Sequence, residues 1–205
     1  MNIFLVIIAL LIIKNHDIFG KVFYENSFLL GSEGWIITGN KLESDALHQA
    51  YTLLQSDKNC NTQMSRYIMG KDDLVNVDYK NKDDKNLWYF KSPPIKISHD
   101  KTSGKPVLLT FTLTSFMGDF RNLNRCSALI KIKVINGNTI SYPYVAKYDG
   151  NMVSFNVPLR SELWYNDAKT KVNFDTIFDG EFEIEILGDW TQGVEVIGLD
   201  NVIIY

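Results

Sequence analysis

The chain is 205 residues long and carries a formal net charge of -3 at neutral pH. That length suits one domain with a core large enough to stand alone. The slightly acidic balance argues against a nucleic-acid partner, which selects a basic face, and no Asn-x-Ser/Thr triplet offers a glycosylation acceptor.

The first feature in chain order is the apolar run Ile3 to Ile13. As a helix it rises only about 16 Å, against the roughly 30 Å of a bilayer's hydrocarbon core. A secretory signal peptide over residues 1–20 fits that length, with an uncleaved anchor as the other reading. Two details depart from the usual pattern: no Lys or Arg precedes the run, and Ile18 stands where a small residue is preferred before Gly20. Residues 21–205 then form the domain, with no later segment apolar enough to span a membrane once the signal is removed.

From there the dominant period is two, with β-branched and aromatic residues between turn signals. Ser44 to Gln55 reads either as a short helix capped by Ser44 or as a strand and loop. The polar stretch Lys71 to Asn86 is the longest loop candidate. In the strand Val107 to Ser115, Leu109, Phe111 and Leu113 share one face, with Thr110, Thr112 and Thr114 on the other. Ala128 to Ile135 alternates in the same way, and the Asn136-Gly137 pair after it predicts a hairpin whose central residues accept positive φ. Tyr148 to Asn151 is a second turn, ahead of a strand from Met152 to Val157. Asn173 to Phe178 has the look of a short helical turn. Phe182 to Ile186 alternates again, and Val202 to Tyr205 reads as the closing strand, with Asp200 and Asn201 as a turn before it. Strands at such spacing predict an all-β, antiparallel β-sandwich.

No catalytic constellation stands out. The mature chain has only His48 and His99, and it lacks a Gly-x-Ser-x-Gly, a phosphate loop and a His-Glu-x-x-His. The acidic cluster Asp72, Asp73, Asp78, Asp83 and Asp84 does not have EF-hand spacing, because lysines interrupt it. Cys60 and Cys126 are read as a disulfide in an oxidising compartment, with two buried thiols as the other reading. The aromatics Trp35, Trp88, Tyr89, Phe90, Trp164 and Trp190 divide between core and sugar-stacking platforms. Trp88, Tyr89 and Trp190 are the first candidates for an exposed ligand-binding face.

The order of short motifs resembles a known family. Glu25-Asn26 with Gly34-Trp35 is similar to the opening of galactose-binding-like jelly-roll modules. Tyr67-Ile68 with Asp72, Trp88-Tyr89-Phe90-Lys91-Ser92-Pro93, Val157-Pro158-Leu159 with Trp164, and Gly198-Leu199-Asp200-Asn201-Val202 resemble the run of the laminin IV (laminin B) domain. The resemblance covers about residues 22–205. It implies a jelly-roll module, secreted or in a secretory-organelle lumen, with no enzymatic activity and a protein or glycan partner. The alternative reading is a glycan-specific lectin or carbohydrate-binding module. The resemblance also implies a structural calcium ion tying the chain ends through Glu25 and Asp200, against the plain reading of Asp200-Asn201 as a turn.

Overall fold

The computed structural model describes residues 22–28, 32–39, 50–55, 63–72, 87–97, 107–121, 123, 128–135, 137–143, 148–166 and 172–205. Residues 1–20, read above as a signal peptide, both cysteines (Cys60 and Cys126), and His48 and His99 lie outside the described residues. Strands run in chain order as β1 (Tyr24–Asn26), β2 (Ile36–Thr38), β3 (Ala50–Gln55), β4 (Gln63–Asp72), β5 (Tyr89–Lys91), β6 (Leu108–Met117), β7 (Ala128–Val134), β8 (Thr139–Pro143), β9 (Val153–Pro158), β10 (Tyr165–Asn166), β11 (Phe182–Leu187) and β12 (Glu195–Ile204). One short helix, α1 (Phe174–Phe178), precedes β11 and is capped by the Asn173 side chain, which accepts the Asp175 N–H at 3.1 Å.

Two antiparallel sheets result. The first has the order β3-β4-β12-β6-β9 with β1 also on β12; the second has the order β10-β8-β7-β11-β5-β2. The chain passes back and forth between them, so the all-β antiparallel sandwich expected from the alternation is what the molecule forms. Leu109, Phe111 and Leu113 of β6 point inward, as do Ile130 and Ile132 of β7 and Ile184 and Ile186 of β11. Burying this continuous layer of Leu, Ile and Phe removes their apolar surface from water, at roughly 25 cal/mol per Å².

One open reading resolves and two local expectations change. The stretch from Ala50 is a strand, β3, paired with β4. The β7–β8 hairpin closes by Gly137 N–H donating to the Val134 carbonyl at 2.9 Å, and Gly137 does not take the positive φ expected of an Asn-Gly turn. The closing strand begins at Glu195, not Val202, so Asp200 and Asn201 lie inside it. The expected turn there is instead a break in register between Asp200 and Ile203 opposite β6, with Asn201 at φ 51°. A bulge accommodates one such left-handed residue without ending the strand, and Asn tolerates that region better than most side chains.

The sheets are keyed together by Trp88. A Cβ built on Gly70 of β4, or on Gly188 just after β11, would overlap its indole ring, and one built on Gly39 would meet its backbone. Its ring lies edge-on to Phe90, centroids 5.2 Å apart. The Trp88 carbonyl also accepts the Gly188 and Asp189 N–H groups at 3.1 and 3.2 Å.

Gly188→Ala is expected to cost about 1–3 kcal/mol by overpacking, and Trp88→Ala about 3–5 kcal/mol by leaving a cavity. Chemical denaturation of the two single variants and the double variant checks the contact. The double variant should lose clearly less than the two costs added, since the new methyl then meets no indole.

Candidate functional site

The three aromatics singled out as an exposed platform are not exposed. Trp88, Tyr89 and Trp190 are all buried. Trp88 fills the glycine-lined gap between the sheets. Tyr89 lies on the opposite side of its strand from Trp88 and has the Lys131 ammonium 4.1 Å from its ring centroid. Trp190 packs on Tyr148, centroids 4.7 Å apart, and donates its indole N–H to the Leu187 carbonyl at 3.0 Å. Its backbone N–H, with that of Thr191, is held by the buried Glu195 carboxylate at 3.0 Å. A sugar platform needs an open ring face, and these rings serve the core instead.

The chain ends do meet, because β1 pairs with β12. The carboxylates implied as calcium ligands stand on neighbouring strands. Glu25 is exposed and opposite Ile203, whereas Asp200 is opposite Thr112 on the β6 side. Both Asp200 oxygens already accept from Asn201, its backbone N–H at 2.7 Å and its side-chain amide at 2.9 Å. Among the described residues no group of three His, Cys, Asp or Glu converges.

The outer faces of the two sheets differ. On the second sheet the charges are already paired across strands: Lys91 with Glu183 at 2.9 Å and Lys133 with Glu185 at 2.5 Å. On the first sheet the outward rows run across β12, β6 and β9. Asp200, Thr112 and Ser154 form one row, and Ile203, Thr110 and Asn156 form the next. The Thr112 and Ser154 hydroxyls are hydrogen-bonded at 3.0 Å. Beside Asp200, glycine at position 198 lets two side chains close over the strand, since a Cβ there would stand 2.8 Å from the Phe116 ring and 3.2 Å from Tyr67. The buried Tyr67 ring and the half-exposed Phe116 ring meet edge to face over it, centroids 5.6 Å apart.

Irregular pairing builds this ring cluster. Opposite β12, the register of β6 shifts between Ser115 and Met117, leaving Phe116 as the extra residue of a bulge. Phe116 is 39% exposed, and Met152, whose sulfur accepts the Tyr67 hydroxyl at 3.9 Å, is 65% exposed. The Asp200–Asn201 irregularity bounds the other end. Bulges re-aim side chains and concentrate at working surfaces. Asp200 itself is buried, and desolvation raises its carboxyl to about 6, offset in part by the Asn201 N–H.

The sequence held a signal for part of this face. The threonine alternation of β6 was legible, and Asp200 drew notice, but Phe116 and Met152 carry no motif and Tyr67 entered only as part of a resemblance. Since Asp200 has a folded pKa of about 6 against an ordinary 3.8, the folded state holds its proton more tightly than the unfolded chain does. Its contribution to stability is therefore full below about 4 and is lost as pH rises through about 6. Urea midpoints measured from pH 4 to 7 should show that decline, and Asp200→Asn should flatten it.

No sequence family and no characterised protein matches the chain in sequence. Several solved structures share its two-sheet outline at low identity. The L4b domain of human laminin alpha-2 aligns at 12% identity over 58% of this chain and 70% of that domain, with a TM-score of 0.44. A family 11 carbohydrate-binding module from Clostridium thermocellum, in complex with a beta-1,3-1,4-mixed-linked tetrasaccharide, aligns at 12% identity over 91% of this chain and 96% of its own, with a TM-score of 0.45. The K3 cleaved adhesin domain of Lys-gingipain from Porphyromonas gingivalis aligns at 11% identity over 90% and 97%, with a TM-score of 0.39. At these distances the sandwich assignment rests on the strand pairing of the chain itself.

Proposed function

We propose that the chain is a non-catalytic carbohydrate-binding module that works outside the cell and takes a sugar ring on the outer face of its first sheet. The observation that supports this reading is the half-exposed Phe116 ring, seated over Gly198 on the buried Tyr67, with Asp200 and the Thr112–Ser154 hydroxyls beside it. A pyranose has one face of C–H groups and a rim of hydroxyls. The first packs on aromatic rings, and the second needs a few fixed acceptors and donors. That division of apolar centre and polar margin is what the face presents. The extracellular setting is supported by the apolar leader at Ile3 to Ile13, and recovery of a secreted chain lacking residues 1–20 would test it.

Glycan-array screening followed by calorimetry on the best ligand tests the reading. Phe116→Ala, at a half-open position, should leave the fold intact and weaken binding by about tenfold or more, a loss of about 1.4 kcal/mol. Asp200→Asn should weaken the same ligand. Retained affinity in both variants, or capture of a protein partner with no glycan signal, would move the function to a protein-adhesion module.

A further inference from the structure

The outer face is not the only surface the fold leaves available. Strand β9 is the last strand of the first sheet, and among the described residues nothing pairs with its far side. Its hydrogen-bonding phase follows from its neighbours. Leu159 N–H donates to the Val107 carbonyl at 2.9 Å, while Leu108 exchanges both of its backbone hydrogen bonds with Tyr205 of the next strand along. Since β6 pairs Leu109 with Val157, Phe111 with Phe155 and Leu113 with Val153, the backbone groups of Val153, Phe155 and Val157 turn toward β6. Those of Ser154 and Asn156 turn outward. Pro158 falls on the same outward phase, where its missing N–H removes nothing from the ladder.

Edge strands of this kind are ordinarily blunted by a lysine, a proline, an inward charge or a covering loop. Here Pro158 blunts only the far end, and the run Met152-Val153-Ser154-Phe155-Asn156-Val157 before it has no charged residue. Met152, Val153, Ser154 and Asn156 are all exposed. The outward groups are also self-complementary. When a second β9 lies antiparallel about a two-fold axis at Phe155, Ser154 of each copy faces Asn156 of the other. Each outward N–H then meets an outward carbonyl, and no like charges are brought together.

We infer that β9 is an association edge, on which a second copy of this chain pairs antiparallel about Phe155 and joins the two first sheets into one. This inference stands apart from the sugar-binding reading, since it uses the main-chain groups of the edge and not the side chains of the outer face.

The test combines light scattering with hydrogen–deuterium exchange on the full chain over a wide concentration series. The wild-type chain should approach twice its monomer mass as concentration rises, and exchange at the Ser154 and Asn156 amides should slow at least tenfold over the same range. Asn156→Pro removes one outward N–H at a position that does not bond β6, and Ser154→Lys adds the missing edge charge. Both should stay monomeric and keep those amides fast, with circular dichroism unchanged. Equal exchange at Ser154 and Asn156 at every concentration overturns the inference, including the case in which the mass rises through the apolar residues Ile3 to Ile13. Protection that appears only with an added foreign peptide overturns it too, because the occupant is then not a second copy.

Discussion

The arrangement depends first on one side chain, Trp88, and on the side chains missing around it. Its indole occupies space that would be taken by a methyl group on Gly70 in the first sheet or on Gly188 in the second. Gly39 lets a third segment approach its backbone. Glycine inside a strand costs backbone entropy and packs nothing of its own. Here those losses are offset by a ring buried from both sides. Among the described residues its Nε1–H has no acceptor, so the ring is held by volume and not by a hydrogen bond of its own. A contact of that shape specifies one separation and one offset between the sheets, because close-packed interiors do not deform smoothly.

From this point the geometry passes to β12. The Gly188 and Asp189 amides bind the Trp88 carbonyl, and the segment after them is gathered by the Glu195 carboxylate, which opens β12. That strand then pairs with β4 and β1 on one side and β6 on the other. A strand pinned at its start and confined on both sides has to absorb any mismatch in length within itself or its neighbours. The two shifts of register opposite β6 do so, one at Phe116 and one after Asp200. The candidate ligand face lies between them. Its aromatic ring and its carboxylate are thus products of the sheet's irregular register, which the Trp88 contact helps to fix.

This explains which features could be read from the sequence. Alternation identified the strands and the inward residues of β6, β7 and β11, because a period of two follows from strand geometry alone. It placed Trp88 and Phe90 on one side of their strand, as they are. Alternation cannot say whether the other face of a strand is covered, and so Tyr89 and Trp190 looked available when they are buried. Asp200-Asn201 looked like a turn because Asn favours left-handed backbone, and a bulge uses the same preference without ending the strand. The ring cluster over Gly198 depends on which residues of β4 and β6 stand opposite it. Register of that kind is set by long-range packing, so the sequence carried no local sign of Phe116.

The contrast between the outer faces bears on the proposal that the first sheet takes a polar ligand. On the second sheet Lys91 and Lys133 satisfy Glu183 and Glu185, so a ligand arriving there must first displace those pairs. On the first sheet Asp200 is stripped of water, and its hydrogen bonds among the described residues come from one neighbour, Asn201. The cost of ionising it appears in the raised pKa. An incoming hydroxyl donor supplies part of the solvation that burial removed. The gain on binding is then larger than the same hydroxyl would find at a surface carboxylate already served by water. A carboxyl group that weakens the free fold near neutral pH is, by the same electrostatics, primed to accept a donor brought in by a ligand.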